Sequence, residues 1–178
     1  MSGAFLLKGH MADYFTNFSV VLPLTKAQQE YGMQITKQME QHRFHDAPLP
    51  AGFPESLKGE AENWTFETAS VDKGIWLHSQ YGGQDAACLF IQHLLEKFSF
   101  AGGVAFEWSH DCSKPLVDAF GGGAAFVTAN EIETFTTSEW LAEVTGQRKH
   151  LFSPDTHRCV KCGIHADDDL VENSPCTK

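Results

Sequence analysis

The residues best equipped for chemistry lie in the last thirty positions: His157, Cys159, Cys162, His165 and Cys176. Three of the five cysteines of the chain fall there, and the two-residue spacing of Cys159 and Cys162 lets both thiolates point at one ion from a tight turn. Gly163 follows, a residue that adopts the left-handed backbone such a turn often needs. Zinc takes four S or N ligands in a tetrahedron, so Cys159, Cys162, Cys176 and one histidine make a closed, structural shell. We favour His157 as the fourth ligand and read His165 as a solvated loop residue. Redox cysteines share the Cys-x-x-Cys spacing, but they open a helix within a βαβ pattern, which this polar terminal stretch does not form. A segment this short buries little apolar surface, so a bound metal would supply much of its folding free energy.

A second polar cluster runs from Trp108 through His110, Cys112, Lys114 and Asp118 to Gly121, Gly122 and Gly123. As an active site it would use Cys112 as nucleophile, His110 or the distant His78 as base, and glycine amides to bind an oxyanion. Alternation along a strand puts His110 and Cys112 on one face and Asp111 on the other, which permits a dyad and excludes a sequential triad. The competing reading is structural: Ser113-Lys114-Pro115 turns the chain, and the glycines form a bulge or let two backbones approach closely. The glycines do not make a P-loop, because no Lys-Ser/Thr and helix follow them. We therefore assign no catalytic residue and treat Trp108, His110, Cys112, Lys114, Asp118 and Gly121 to Gly123 as a candidate ligand or partner surface.

The elements that must position these residues are legible from patterning. Phe18 to Leu24 reads as a strand ending near Pro23, and Thr25 with Gln28 reads as a capping box. The helix that follows, to about Gln41, places Ala27, Tyr31, Ile35 and Met39 on one apolar face. The stretch from His42 to Ala61 is a loop, with room for one helical turn. Trp64, Phe66 and Thr68, then Ile75 and Leu77, alternate as two strands around the turn Asp72-Lys73-Gly74. A second helix, about Asp85 to Phe98, carries the stripe Ala87, Phe90, Ile91, Leu94, Leu95 and Phe98. Cys88 on that helix reads as a small buried hydrophobe. Val104, Phe106 and Trp108 begin another strand, one or two more follow over residues 121–136, and Thr136 to Glu139 caps a last short helix. The order β-α-β-β-α-β-β-α predicts an α+β fold whose first six elements form a ferredoxin-like split βαβ sandwich, followed by a zinc-bound tail. That fold hosts many activities and fixes none. Phe15, Phe18, Trp76 and Trp140 are candidate exposed anchors.

Composition narrows the function classes. The chain has 178 residues and a net charge of −10. Residues 12–146 hold 18 acidic and 7 basic side chains, a net of −11, while residues 147–178 balance at five of each. An acidic body repels phosphate backbones, so direct nucleic-acid binding is not expected of it, and a basic protein is the better electrostatic match. No apolar run approaches the ~20 residues of a membrane span. The expected location is the cytoplasm, where thiols stay reduced. Residues 1–11 read as a non-native leader, 12–146 as the acidic domain and 147–178 as the zinc segment.

The pattern Trp108-x3-Cys112-Ser-Lys-Pro115-x2-Asp118-x-Phe120-Gly-Gly-Gly, after Tyr14-Phe-Thr-Asn-Phe-Ser19, resembles small proteins encoded by bacteriophages and plasmids. The likeness covers roughly residues 12 to 141, and the cysteine-rich tail is similar to short zinc-binding ends of other phage proteins. The resemblance implies a genomic context in which small acidic proteins bind and block host machinery, including defence and DNA-binding proteins. Function is thus expected to be non-enzymatic inhibition of a host protein in the host cytoplasm. The alternative is a small enzyme or nucleotide-binding protein using His110, Cys112, Lys114 and Asp118.

Overall fold

The computed structural model describes residues 12–116 and 119–145, together with 153, 156–159, 162 and 164–165 of the C-terminal segment. The elements in chain order are β1 (Tyr14–Pro23), α1 (Lys26–His45), a 3₁₀ turn (Glu55–Glu60), β2 (Glu67–Val71), β3 (Gly74–Ser79), α2 (Gln84–Lys97), β4 (Gly103–Cys112), β5 (Gly121–Thr128), β6 (Ile132–Thr136) and α3 (Thr137–Val144).

Local sequence explains where these begin and end. The Gln28 side chain accepts a hydrogen bond from the Thr25 backbone N–H at 2.9 Å, the reciprocal half of a capping box at the start of α1. The helix does not stop at Gln41 as expected but continues to His45. His42, Arg43 and His45 occupy its last turn, where the Arg43 charge complements the carbonyl end of the dipole, and Asp46 closes it in the left-handed conformation at φ 52°. Its buried face is also rotated from the expected one. Ala27 is exposed, whereas Gln29, Gly32, Ile35, Thr36 and Met39 are buried. Gly32 lies so near β3 that a Cβ there would meet the Ile75 Cδ1 at 2.5 Å, which draws the 29/32/36 side of the helix inward. The buried Gln29 amide is satisfied, donating to the Leu24 carbonyl at 2.9 Å and accepting from the Ser70 hydroxyl at 2.5 Å.

The β2–β3 hairpin turns where Asp72-Lys73-Gly74 predicts, with Val71 paired to Gly74. Gly74 is required: a Cβ would sit 1.8 Å from the Leu22 carbonyl oxygen on the neighbouring strand. Trp64 and Phe66 precede β2 rather than belonging to it, yet both are buried, their rings 4.6 Å apart and both against Phe90 of α2. Their alternation reports burial under a helix, not a ladder.

The six strands form one sheet in the order β2-β3-β1-β4-β5-β6. The ladders β2·β3, β1·β3, β1·β4 and β4·β5 are antiparallel, and β6 follows β5 through a turn in which the Thr128 N–H donates to the Glu131 carbonyl at 2.8 Å. The fold is therefore α+β, and the order of the first four strands, 2-3-1-4, is compatible with a split βαβ arrangement. Phe18, Leu22, Ile75, Leu77, Phe106, Trp108, Ala125 and Val127 on one sheet face form the core with Ile35 and Met39 of α1 and Phe90, Ile91 and Leu94 of α2. Each such large side chain contributes about 1.5–3 kcal/mol by leaving water. The chain divides into two compact units, Met1–Glu133 and Thr134–Lys178. In the second, α3 is capped as expected: the Thr136 hydroxyl oxygen accepts from the Glu139 N–H at 3.2 Å.

Candidate interaction site on the sheet

Strand register decides which side chains share the second face of the sheet. Since Leu22, Ile75 and Ser70 stand in one row toward the helices, Val21, Trp76 and Ala69 in the adjoining row point the other way. The same alternation assigns Asn17 and Ser19 of β1, Glu67 of β2, His78 of β3, and Glu107, Ser109 and Asp111 of β4 to this outer face. Asn17, Ser19, Trp76, His78, Gln80, Glu107 and Ser109 line a depression of about 720 Å³ there, spanning β3, β1 and β4.

The polar groups of this face are ordered by one another. The Trp76 and His78 rings stack with centroids 3.8 Å apart and planes at 28°. The Trp76 indole N–H donates to the Ser19 hydroxyl oxygen at 2.8 Å, which fixes the ring. The Asp111 carboxylate accepts from the Asn17 amide at 2.8 Å and the Ser109 hydroxyl at 3.1 Å. Glu67 is the ladder partner of His78. Among the described residues none of Glu67, Glu107 and Asp111 is in an ion pair, and no lysine or arginine of β1 to β5 lies on this face. The arrangement is a negatively charged depression lined on one side by the stacked Trp76–His78 pair.

The sequence-derived candidates sit differently. Trp108 is 7% exposed and packs in the core beside Phe106. His110 is half-buried on the same strand side, its Nδ1 2.9 Å from the Thr16 hydroxyl. Cys112 ends β4 opposite Tyr14, and the chain is held beyond it by Ser113, whose hydroxyl accepts from the Asp13 N–H and whose N–H donates to the Asp13 carbonyl, both at 2.9 Å. Lys114 lies in the turn that follows, and Asp118 is outside the described residues. Gly121, Gly122 and Gly123 are the first residues of β5, paired to His110, Ser109 and Trp108. A Cβ on Gly122 would be 2.3 Å from the Trp108 carbonyl oxygen, so this glycine permits a close backbone approach. Of the candidate anchors, Phe18 is core, Trp76 and Phe15 are half-buried, and Trp140 on α3 is 49% exposed.

In the tail, the Cys159 N–H donates to the Ile164 carbonyl at 2.8 Å and Arg158 bridges His165 in antiparallel fashion, so Cys162 falls between paired positions. Cys159 is buried, and the His157 and His165 rings stand 6.3 Å apart. Among the described residues no three His, Cys, Asp or Glu side chains are grouped so as to hold a metal, and Cys176 of the expected shell lies outside them.

Three titratable groups on the helices beneath the sheet are perturbed. Burial pushes the Cys88 thiol up to about 12, with the nearby Asp85 charge adding to the shift. Burial lowers His93, which Glu96 partly opposes and Lys97 reinforces; its Nε2 is 2.9 Å from the Tyr31 hydroxyl, itself raised by burial.

Sequence reasoning missed Asn17, Ser19, Glu107, Ser109 and Asp111 as members of one surface. Only the outward positions of the strand alternation signal them. No family model, curated protein or solved structure matches the chain. No helix among the described residues is long and apolar enough to cross a membrane.

Proposed function

We propose that this chain works by binding rather than turnover: its acidic body, a ferredoxin-like split βαβ sandwich extended by β5 and β6, occupies a basic surface on a protein partner. The observation that carries this reading is the outer sheet face, where Glu67, Glu107 and Asp111 stand with no ion-paired cation among the described residues. Uncompensated carboxylates on a concave surface attract a positively charged partner and repel phosphate backbones. The likeness to phage- and plasmid-encoded proteins supplies the setting, a mobile-element accessory protein that blocks a host protein in the host cytoplasm. The test is affinity capture at low and high salt with the native chain and with a Glu67→Gln/Glu107→Gln/Asp111→Asn variant. A partner retained at low salt, released at high salt and lost with the variant supports the reading; a partner indifferent to both overturns it.

The tail is proposed to bind Zn²⁺ through His157, Cys159, Cys162 and Cys176. The antiparallel pairing of 158 and 159 with 164 and 165 supports this, since it brackets Cys162, and the two-residue spacing from Cys159 lets both thiolates reach one ion. Metal analysis of protein purified without added zinc should give one equivalent, and a Cys159→Ser/Cys162→Ser variant should give none. Metal-free native protein would refute the assignment.

A further inference from the structure

The geometry points to the depression between β3, β1 and β4 as a socket for an arginine side chain of the basic partner. This deepens the reading above and rests on it. Guanidinium is planar and weakly hydrated, stacks on aromatic faces and offers several N–H donors in a fixed fork, whereas the lysine ammonium is a compact, strongly hydrated point charge. The socket supplies what the first needs and the second does not. Trp76 and His78, stacked ring on ring at 3.8 Å, both line the depression, and the bond from the Trp76 indole to Ser19 holds the stack in place, so that a guanidinium can extend it. Glu107 lines the same depression and gives a carboxylate able to take two parallel N–H bonds. Asp111, already oriented by Asn17 and Ser109, adds charge along β4. At about 720 Å³ the depression has room for one long side chain with the backbone flanking it. A phosphate-bearing ligand is disfavoured by the same carboxylates.

The test uses the full chain and two blocked tripeptides, Gly-Arg-Gly and Gly-Lys-Gly, titrated while the Trp76 indole N–H resonance is followed by NMR. Gly-Arg-Gly should shift that resonance saturably and bind about two- to fivefold tighter than Gly-Lys-Gly, the margin a stacked cation supplies at an exposed site. Glu107→Gln should weaken the arginine peptide by about fivefold, and Trp76→Leu should abolish the preference for arginine. Melting curves of both variants are to match the native chain; should Trp76→Leu fail to fold, Glu107→Gln alone decides. Equal affinity for the two peptides, or binding unchanged by Glu107→Gln, overturns the socket. Capture that is lost on neutralising the face while the peptides stay indistinguishable removes the socket and leaves the acidic docking surface. Capture that survives neutralisation removes the docking surface itself.

Discussion

Replacing Gly122 by alanine separates a structural glycine from a ligand-binding loop. The added Cβ would lie 2.3 Å from the Trp108 carbonyl oxygen, about 0.7 Å inside the 3.0 Å that real Cβ contacts respect. The obstacle is backbone, which cannot rotate away as a side chain would. It also belongs to a ladder of eight register pairs from Gly103 to His110, so relief requires β4 and β5 to separate locally. Overpacking typically costs about 1–3 kcal/mol, and an unyielding carbonyl puts this case near the upper end, about 3 kcal/mol. For a body of this size that corresponds to a fall of roughly 10 °C in Tm. Gly59→Ala is the control: nothing lies within 4 Å of its Cβ, so its effect should stay within about 0.5 kcal/mol. Urea unfolding followed by circular dichroism measures both. A Gly122→Ala protein as stable as the native chain would refute the close approach of β5 to Trp108.

Further outcomes follow from the buried groups and the tail. Cys88, with its thiol raised to about 12, should resist iodoacetamide at neutral pH in the folded protein and react only as fast as the chain unfolds; modification at the rate of a free thiol would contradict its burial. His93 is depressed in the folded state, so the unfolded chain takes up its proton first as the pH falls below about 6.5, and stability present above that pH is lost on acidification. His93→Gln should therefore flatten the decline in urea midpoint between pH 7.5 and 5.5, and parallel declines would count against the assignment. Chelation should remove the zinc proposed for the tail and raise proteolytic cleavage after residue 146 while leaving the body intact; equal cleavage with and without chelator would argue that metal does not order the tail.

How much of this was readable in advance depended on where the information lay. α2 announced itself because six apolar residues at helical spacing face a core. The α+β element order followed from alternation and turns, with Asp72-Lys73-Gly74 supplying a glycine that clears the Leu22 carbonyl. The end of α1 was hidden because residues 42–45 show no apolar period; the helix continues there on helix-end electrostatics and the Asp46 cap. Trp64 and Phe66 mimic a strand because a ring cluster under α2 buries alternate positions just as a sheet would. The outer face was the least legible part. Asn17, Trp76 and Glu107 are far apart in the chain, and only the pairing of β1 with both β3 and β4 makes them neighbours.

The proposed binding depends on the charged outer face as a docking surface. Its most direct measurement is the affinity of the captured partner at several salt concentrations, for the native chain and for Glu67→Gln/Glu107→Gln/Asp111→Asn. The native affinity should fall steadily with salt, and the variant should bind weakly with little salt dependence. A variant that binds as tightly as the native chain, with the same salt dependence, would contradict it.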